Sequence, residues 1–481
     1  MSNRGATFEA LGYIGLGMLL ALRAANFGGS GADAALMAAS VAFFVLVQVV
    51  LLALRAPAVV RVIYAYLATP YYANRGLAEV WLGHPSEASS GTFAPVLLGD
   101  LVLLLVLVRA RPRVPLALLG TLALLATPLA AFVWIDGFQP GAFVYQYLNV
   151  ARIVIVTWFV ARSMRDHRRA LEPHGVVIHL GFVFAVMALF SGTLAFATGA
   201  RFGFPGWGAN VFANALCVVG VLCSWYGLRR RHLGSLLLAA ACAFGIVGTG
   251  TRGALVLFTL TLGALLGLSL VPRRARAAAA VLTAVAVATV LLAMPGPVVA
   301  GIADVNPRLR TVGGVDLSAD MRALELVEAV GRESSVRTRL TLWAGSLEMV
   351  SHSPLVGVGW GQWNWQKARF GVDFDVLLDP HNGYLWLLAE GGLVAVGVLL
   401  VILALWLPRL PASPFTLALG LIAVFELANA NVQKGLFGVL ASVVFGVIAA
   451  QAVDRFRAPS RAVHEWRLGR RLHGSETEPA A

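Results

Sequence analysis

Long apolar runs recur from one end of the sequence to the other, and many of them reach 18 residues or more. A run of that length can cross the hydrocarbon core of a bilayer as an α-helix. Hydrophobic residues make up 59% of the 481 residues and charged residues only 13%, whereas soluble domains contain about 45–50% and about 25%. This composition excludes a water-soluble enzyme, a disordered chain and a disulfide scaffold. The sequence therefore predicts an all-α polytopic membrane protein.

Windows of about 19 residues place the membrane-spanning segments along the chain. These segments are 9–27, 34–54, 94–108, 114–134, 142–161, 176–197, 208–228, 233–249, 253–271, 277–296, 383–407, 414–430 and 435–453. The stretch 58–69 is also apolar, but it is short and Arg61 interrupts it. It is compatible with a further span, a re-entrant segment or an interfacial helix. We therefore expect about 12–14 transmembrane helices.

The net charge of +13 would suggest a nucleic-acid partner in a soluble protein. Here the positive charge lies in short loops between apolar segments, where it sets membrane topology, and we expect no nucleic-acid partner. Arginines cluster in alternate loops, at 109–113, 162–169, 229–231 and 273–276. The positive-inside rule places these loops and the C-terminus in the cytoplasm, and the intervening loops outside.

One loop, residues 302–381, differs from all others because it holds ten of the chain's 24 acidic residues. The topology places this loop on the outer side of the membrane. Within it, Asp316–Val330 and Arg339–Ser351 have the pattern of short amphipathic helices. We expect four parts: an N-terminal transmembrane bundle (1–301), a large periplasmic loop (302–381), C-terminal transmembrane helices (382–453) and a basic cytoplasmic tail (454–481).

Arginines at the outer boundary are the first candidates for function, because ionisable groups near membrane depth are costly. Arg252 lies between two apolar segments on the side where topology does not require positive charge. Arg337 and Arg339 lie in the outer loop, and a guanidinium matches the geometry of phosphate oxygens. The alternatives are a snorkelling arginine at position 252 and solvated ion pairs with Glu333 or Glu348 in the loop.

His381 is the candidate general base, because a neutral imidazole at an extracytoplasmic surface can accept a proton near neutral pH. It precedes Asn382 at the start of an apolar segment. The alternative is a helix N-cap, in which Asp379 or Asn382 caps and the histidine is incidental. Both interpretations can hold together, since a helix N-terminus also favours bound anions.

Tryptophans interleave with glycines and amides in the segment 357–366. Indole faces together with amide hydrogen bonds suit sugar rings, so Trp360 and Trp363 are candidate substrate-binding residues. The alternative is an interfacial aromatic belt. No cluster with metal-ligand spacing occurs in the outer loops, and we expect neither a metal nor a cofactor. A glycosidase-like carboxylate pair is not evident, although Asp373, Asp375 and Asp379 leave that question open.

Several short motifs occur in a fixed order between residues 233 and 407. They are Thr251-Arg252-Gly253-Ala254, Arg339-x-x-x-Trp343, His352-x-Pro354-Leu355-x-Gly357-x-Gly359, His381-Asn382-x-x-Leu385 and Glu390-Gly391-Gly392-Leu393. In this order, and with a large outer loop between them, they resemble the O-antigen ligase and polymerase superfamily. That superfamily also includes the bacterial O-linked protein oligosaccharyltransferases.

The resemblance implies a GT-C-like membrane glycosyltransferase with a metal-independent, inverting reaction at the periplasmic face of the inner membrane. The implied donor is a glycan on undecaprenyl pyrophosphate, and the first choice of acceptor is lipid A-core. By the resemblance, Arg252 and Arg339 bind the pyrophosphate and His381 is the functional histidine, with Arg337 and Asn382 as further substrate-binding candidates. A repeat-unit polymerase and an O-linked protein oligosaccharyltransferase are the alternatives among enzymes. A transporter for lipid-linked glycan is the alternative outside them.

Overall fold

The computed structural model describes a large part of the chain. The described residues are 31–68, 98–110, 112–166, 172–198, 203, 208–270, 311–312, 315–316, 334–372, 380–406, 410, 413–428 and 437–452. The expected spans 9–27 and 277–296, the expected amphipathic helix 316–330 beyond its first residue, and the tail 454–481 lie outside these residues.

Helices account for nearly all of the described secondary structure. The α-helices are α1 (Gly31–Ala53), α2 (Ala58–Leu67), α3 (Leu98–Ala110), α4 (Leu116–Leu125), α5 (Pro140–Asp166), α6 (Pro173–Thr198), α7 (Ala209–Arg230), α8 (Leu233–Thr249), α9 (Arg252–Leu270), α10 (Ser334–His352), α11 (Trp363–Gln366), α12 (Gly383–Trp406), α13 (Pro414–Ala428) and α14 (Phe437–Ala452). Two 3-10 helices cover Thr127–Val133 and Lys367–Phe370. Strands β1 (Thr311–Val312) and β2 (Val315–Asp316) form an antiparallel pair.

Five helical segments among the described residues are long and apolar enough to cross a membrane. They are Leu116–Val133, Pro140–Asp166, Pro173–Thr198, Ala209–Arg230 and Gly383–Leu405. Shorter apolar helices, including α8, α13 and α14, accompany them. The expectation of an all-α polytopic membrane protein is confirmed.

The short apolar stretch near residue 60 forms α2, a helix of ten residues. Ten helical residues extend about 15 Å, about half the thickness of a bilayer core, so this helix does not cross the membrane by itself. It packs against α3, α5 and α6, and Arg61 within it is only 4% exposed. The segment is a short helix enclosed by the bundle.

The largest hydrophobic core joins the early helices to α13 and α14. Helix α8 packs closely on α6 and α7, and small residues permit this approach. A Cβ added to Gly245 of α8, for example, would lie 2.6 Å from the Cβ of Ala188 of α6. Tight helix contacts of this kind give a bundle its stability in lipid, where burial of apolar surface drives association little.

A charged pair lies inside this bundle, between α3 and α5. Arg152 donates from Nε and Nη2 to the two carboxylate oxygens of Asp100, each at 2.8 Å. Tyr66 of α2 donates to the same carboxylate at 2.6 Å, and Arg152 also donates to the side chain of Asn149. The arginine side chain is 3% exposed and that of the aspartate 26%. One bidentate ion pair therefore joins α3 to α5, and the Tyr66 hydrogen bond joins α2 to the same carboxylate.

A second, smaller core lies around the first half of α12. It contains residues of α4, the start of α5, α10 and the tryptophan-rich segment 357–366. Helix α10 includes the expected helix 339–351 and begins five residues earlier, at Ser334. This second core carries the motifs that the sequence analysis singled out between residues 339 and 393.

Candidate active site

Helix α12 is broken at Gly392, nine residues after its start. The backbone there has φ +62° and ψ −167°, which is not helical. The amide groups that follow the break bond outside the helix: Leu393 N donates to Pro354 O at 2.9 Å and Val394 N to Leu355 O at 3.0 Å. The break lies about 13 Å along the helix from its N-terminus. A segment from another part of the chain therefore enters the helix.

The same segment also binds the carbonyl groups that precede the break. Val358 N donates to Ala389 O at 2.9 Å, and Gly359 N donates to Glu390 O at 3.0 Å. Irregular backbone at membrane depth is stable only where protein or water satisfies its polar groups. Residues 354–359 satisfy both ends of the broken helix.

The Glu390 side chain fastens the next part of this segment. It is 2% exposed, and its two carboxylate oxygens accept hydrogen bonds from Gly361 N at 2.8 Å and Trp363 N at 2.9 Å. A buried carboxylate is costly unless such donors surround it. The glutamate of the Glu-Gly-Gly motif therefore holds the tryptophan-rich segment against α12.

Two of the tryptophans in this segment are enclosed by protein. Trp360 is 0% exposed and Trp363 is 2% exposed. The Trp360 indole donates to Leu125 O at 2.7 Å and lies 5.3 Å from the ring of Trp386. Trp365, by contrast, is 59% exposed. Trp360 and Trp363 are therefore part of the second core, and Trp365 presents its ring outward.

The connection between α4 and α5 docks onto the tryptophan-rich side of the site. Gln139 and Gln362 exchange two hydrogen bonds, of 2.8 and 2.9 Å. Gln366 and Arg369 both donate to the carbonyl oxygen of Asp136, at 3.1 and 2.8 Å. The α4–α5 connection and the segment 362–369 therefore lie on the same face of the bundle.

The order of the helices indicates that the backbone of Arg252 lies on this same face of the bundle. Four successive helices, α5 to α8, separate the α4–α5 connection from Arg252. After four crossings of the bundle, the chain is back on the face from which it started. Gly250 ends α8 in a left-handed conformation with φ +62°. The Thr251 hydroxyl then contacts Asn210 at the start of α7, with 3.3 Å between its oxygen and the amide oxygen.

The two loop arginines belong to α10. This helix packs against α12, and its buried residues Leu342 and Met349 lie in the second core. Arg339 is half-buried near the start of the helix. The side chains of Arg337 and Arg252 lie outside the described residues. The structure thus brings the helix of Arg339 against the helix that follows His381.

His381 lies in a left-handed turn immediately before α12. Its φ is +50°, a region that few residues other than glycine adopt and that histidine visits more often than most. Asn382 caps the helix, since its side-chain oxygen accepts from Tyr384 N and Leu385 N at 3.1 and 3.0 Å. The cap and the histidine are therefore distinct features of one turn. Strained turns of this kind cluster at functional sites.

The break in α12 provides a direct test of this architecture. A Cβ at Gly392 would overlap Leu355 O and Gly357 N, and its positive φ disfavours any side chain. We expect Gly392→Ala to lower the free energy of unfolding by about 2–5 kcal/mol, measured by unfolding in detergent. The matched control is Gly397→Ala in the same helix, where a Cβ meets nothing within 4 Å. Equal stability of the two variants would contradict the inserted arrangement.

The fold and the site define a class: a multi-pass α-helical membrane protein in which the motifs between residues 339 and 393 lie around the broken helix α12. The family model described as O-antigen ligase matches residues 236–402. This stretch runs from the start of α8 into the second half of α12 and contains every motif named above. The match confirms the resemblance to the O-antigen ligase and polymerase superfamily over this part of the chain. None of the curated proteins matches the chain.

Three acidic residues have structural surroundings that the sequence analysis did not foresee. Glu390 belongs to the Glu-Gly-Gly motif, which by itself gives the glutamate no role. Asp100 and Glu426 are each an acid inside an apolar segment. An acid inside an apolar segment by itself predicts a specific role, because a carboxylate in a membrane helix needs a partner.

Proposed function

We propose that the protein transfers a glycan from undecaprenyl pyrophosphate to an acceptor hydroxyl, and that the acceptor is lipid A-core. The observation that carries the proposal is the O-antigen ligase match over residues 236–402. The matched stretch includes α10, which carries Arg339, and α12, which begins after His381, and these two helices pack together. The match by itself supports a transferase of lipopolysaccharide biosynthesis in the membrane.

In the proposed reaction, Arg252 and Arg339 bind the pyrophosphate of the donor. Pyrophosphate is a good leaving group, so it needs charge neutralisation more than a protonating acid, and two guanidinium groups supply it. Arg337, adjacent on α10, is a further candidate for the same role. Undecaprenyl pyrophosphate leaves with the electron pair of the glycosidic bond.

The acceptor hydroxyl is a poor nucleophile until its proton is removed. We assign that step to His381, whose imidazole takes the proton as the hydroxyl oxygen attacks the anomeric carbon. Direct attack from the side opposite the leaving group inverts the anomeric centre. Asn382 supports the histidine by capping α12. Trp360 and Trp363 anchor the segment 357–366 in the second core, and in this way they shape the substrate site.

We further propose that the site faces the periplasm from the inner membrane. The described arginines at the ends of α3, α5 and α7 support this orientation, because positive charge is retained on the cytoplasmic side. Arg109, Arg165, Arg229 and Arg230 are those residues. The α4–α5 connection, at the opposite end of α5, carries no positive charge between residues 134 and 140.

Transport of a lipid-linked glycan is the alternative outside the enzymes, and the break in α12 is a feature that transporters share. Transporters typically have broken helices in two matching halves, with free backbone groups that bind substrate. Within the described residues, a break of this kind occurs in α12, and the inserted segment takes up backbone groups on both sides of it. These contacts favour the enzyme.

Deletion of the gene, followed by analysis of surface glycans, tests the proposal. Loss of glycan-capped lipid A-core, restored by the wild-type gene on a plasmid, is the expected result. Loss of polymer length would instead indicate a repeat-unit polymerase, and loss of protein glycan an O-linked oligosaccharyltransferase. A deletion strain with all three products intact would contradict every enzyme in this group.

A further inference from the structure

The outer part of α13 contacts the turn that contains His381 at three consecutive positions. Asn382 Nδ2 donates to Leu427 O at 3.2 Å, and the Tyr384 hydroxyl donates to Ala423 O at 3.0 Å. Between them, the carboxylate of Glu426 occupies the place where a side chain at position 383 would begin. Helix α13 therefore holds the first turn of α12 along its length.

Glu426 is the charged member of this contact. It is 8% exposed and lies in an otherwise apolar helix. A carboxylate at such a position is costly unless favourable charge surrounds it. The N-terminus of α12 provides favourable positive charge. Its first amide groups point out of the end of the helix and carry the positive end of the helix dipole. Glycine at position 383 leaves room for the carboxylate, because a Cβ there would overlap a carboxylate oxygen of Glu426.

The same turn contains the strained backbone of His381, two residues before Gly383. A non-glycine residue in the left-handed region costs about 1–3 kcal/mol and persists only where the surroundings impose it. The three residues that follow His381 in the chain all contact α13. These contacts hold the first turn of α12, which the chain enters directly after His381.

We propose that Glu426 is a positioning residue for His381: its carboxylate, seated over Gly383, holds the histidine turn in the conformation that the reaction requires. The inference rests on the proposed role of His381 as the base. Carboxylates that orient a catalytic histidine have this role in other active sites, where they also favour the imidazolium that forms during proton transfer. Here the carboxylate acts through the backbone of the turn and through its charge at the helix N-terminus.

Glu426→Gln tests the proposal, since glutamine keeps the shape and removes the charge. We expect kcat for glycan transfer to fall by about 10–100-fold, the range seen when the carboxylate behind a metal-bound histidine is lost, while KM for the lipid-linked donor stays within about twofold. Glu426→Asp should recover part of the lost rate. Val424→Thr, a change at an exposed position of the same helix (44% exposure), is the matched control and should leave kcat and Tm unchanged.

A double-mutant cycle separates positioning from simple support of the fold. If Glu426 acts through His381, Glu426→Gln should have no further effect on kcat in a His381→Ala background. Equal effects in both backgrounds, or a loss of kcat that follows a fall in Tm, would overturn the proposal. Wild-type kcat in Glu426→Gln would do the same. If the wild-type protein transfers no glycan, the proposed function fails instead, so the two failures are distinguishable.

Discussion

His381→Ala is expected to reduce the rate of glycan transfer by about 10²–10⁴-fold, the usual cost of losing a general base. Donor binding should remain close to that of the wild-type protein, because the imidazole acts on the acceptor and not on the pyrophosphate. The variant should also insert and fold normally, since His381 is only partly buried and lies at a helix end. Transfer from a purified lipid-linked donor, with donor binding measured separately, checks both expectations.

The arginines provide the contrast for this experiment. Arg339→Ala and Arg252→Ala should weaken donor binding as well as turnover, because the pyrophosphate is charged in both ground and transition states. Lysine should rescue either position only in part, since it keeps the charge and loses the planar fork. Normal transfer by His381→Ala, together with inactive Asp373→Asn or Asp379→Asn, would show that a carboxylate is the base.

The buried ion pair predicts the largest effect on stability. Asp100→Ala leaves the guanidinium of Arg152 buried without its bidentate acceptor. Removal of one member of a buried pair costs about 3–5 kcal/mol, because an uncompensated charge stays inside. We expect a corresponding drop in the free energy of unfolding in detergent, and a lower yield of folded protein in the membrane.

Two variants test the physical reason for that loss. Asp100→Leu combined with Arg152→Leu removes both charges and should recover most of the stability, since apolar replacements of a buried pair are often neutral. Asp136→Ala removes an exposed acid of the α4–α5 connection and should change stability by less than about 0.5 kcal/mol. If the single variant Asp100→Ala were as stable as the wild-type protein, the pair would not hold α2, α3 and α5 together.

The sequence predicted the helices better than their contacts. The spans 176–197 and 208–228 end within three residues of the ends of α6 and α7, and the span 233–249 has the same bounds as α8, because hydropathy over a bilayer's thickness is a local property of the chain. The helix expected at 339–351 is also present. The order of the motifs sufficed to indicate the superfamily that the comparison then matched.

The sequence also named His381 and Asn382 as neighbours in a capped turn, since capping depends on residues only two or three apart. The convergence of Arg252, Arg339 and His381 on one site stays a prediction. Trp360 and Trp363 are candidate sugar-binding residues on the basis of residue type, and that role stays a prediction. Both rings are enclosed in the second core, a placement that no local pattern could show.

By itself, the sequence determined the class of protein, the positions of most helices and the family of its central segment. Each depends on composition, on hydropathy within one window, or on motifs a few residues long. Tertiary structure alone decided that residues 354–361 enter α12 at Gly392, that Glu390 fastens them, and that Glu426 lies over Gly383. Those contacts join residues about 30 to 45 positions apart, and their hydrogen bonds form only once the helices have packed.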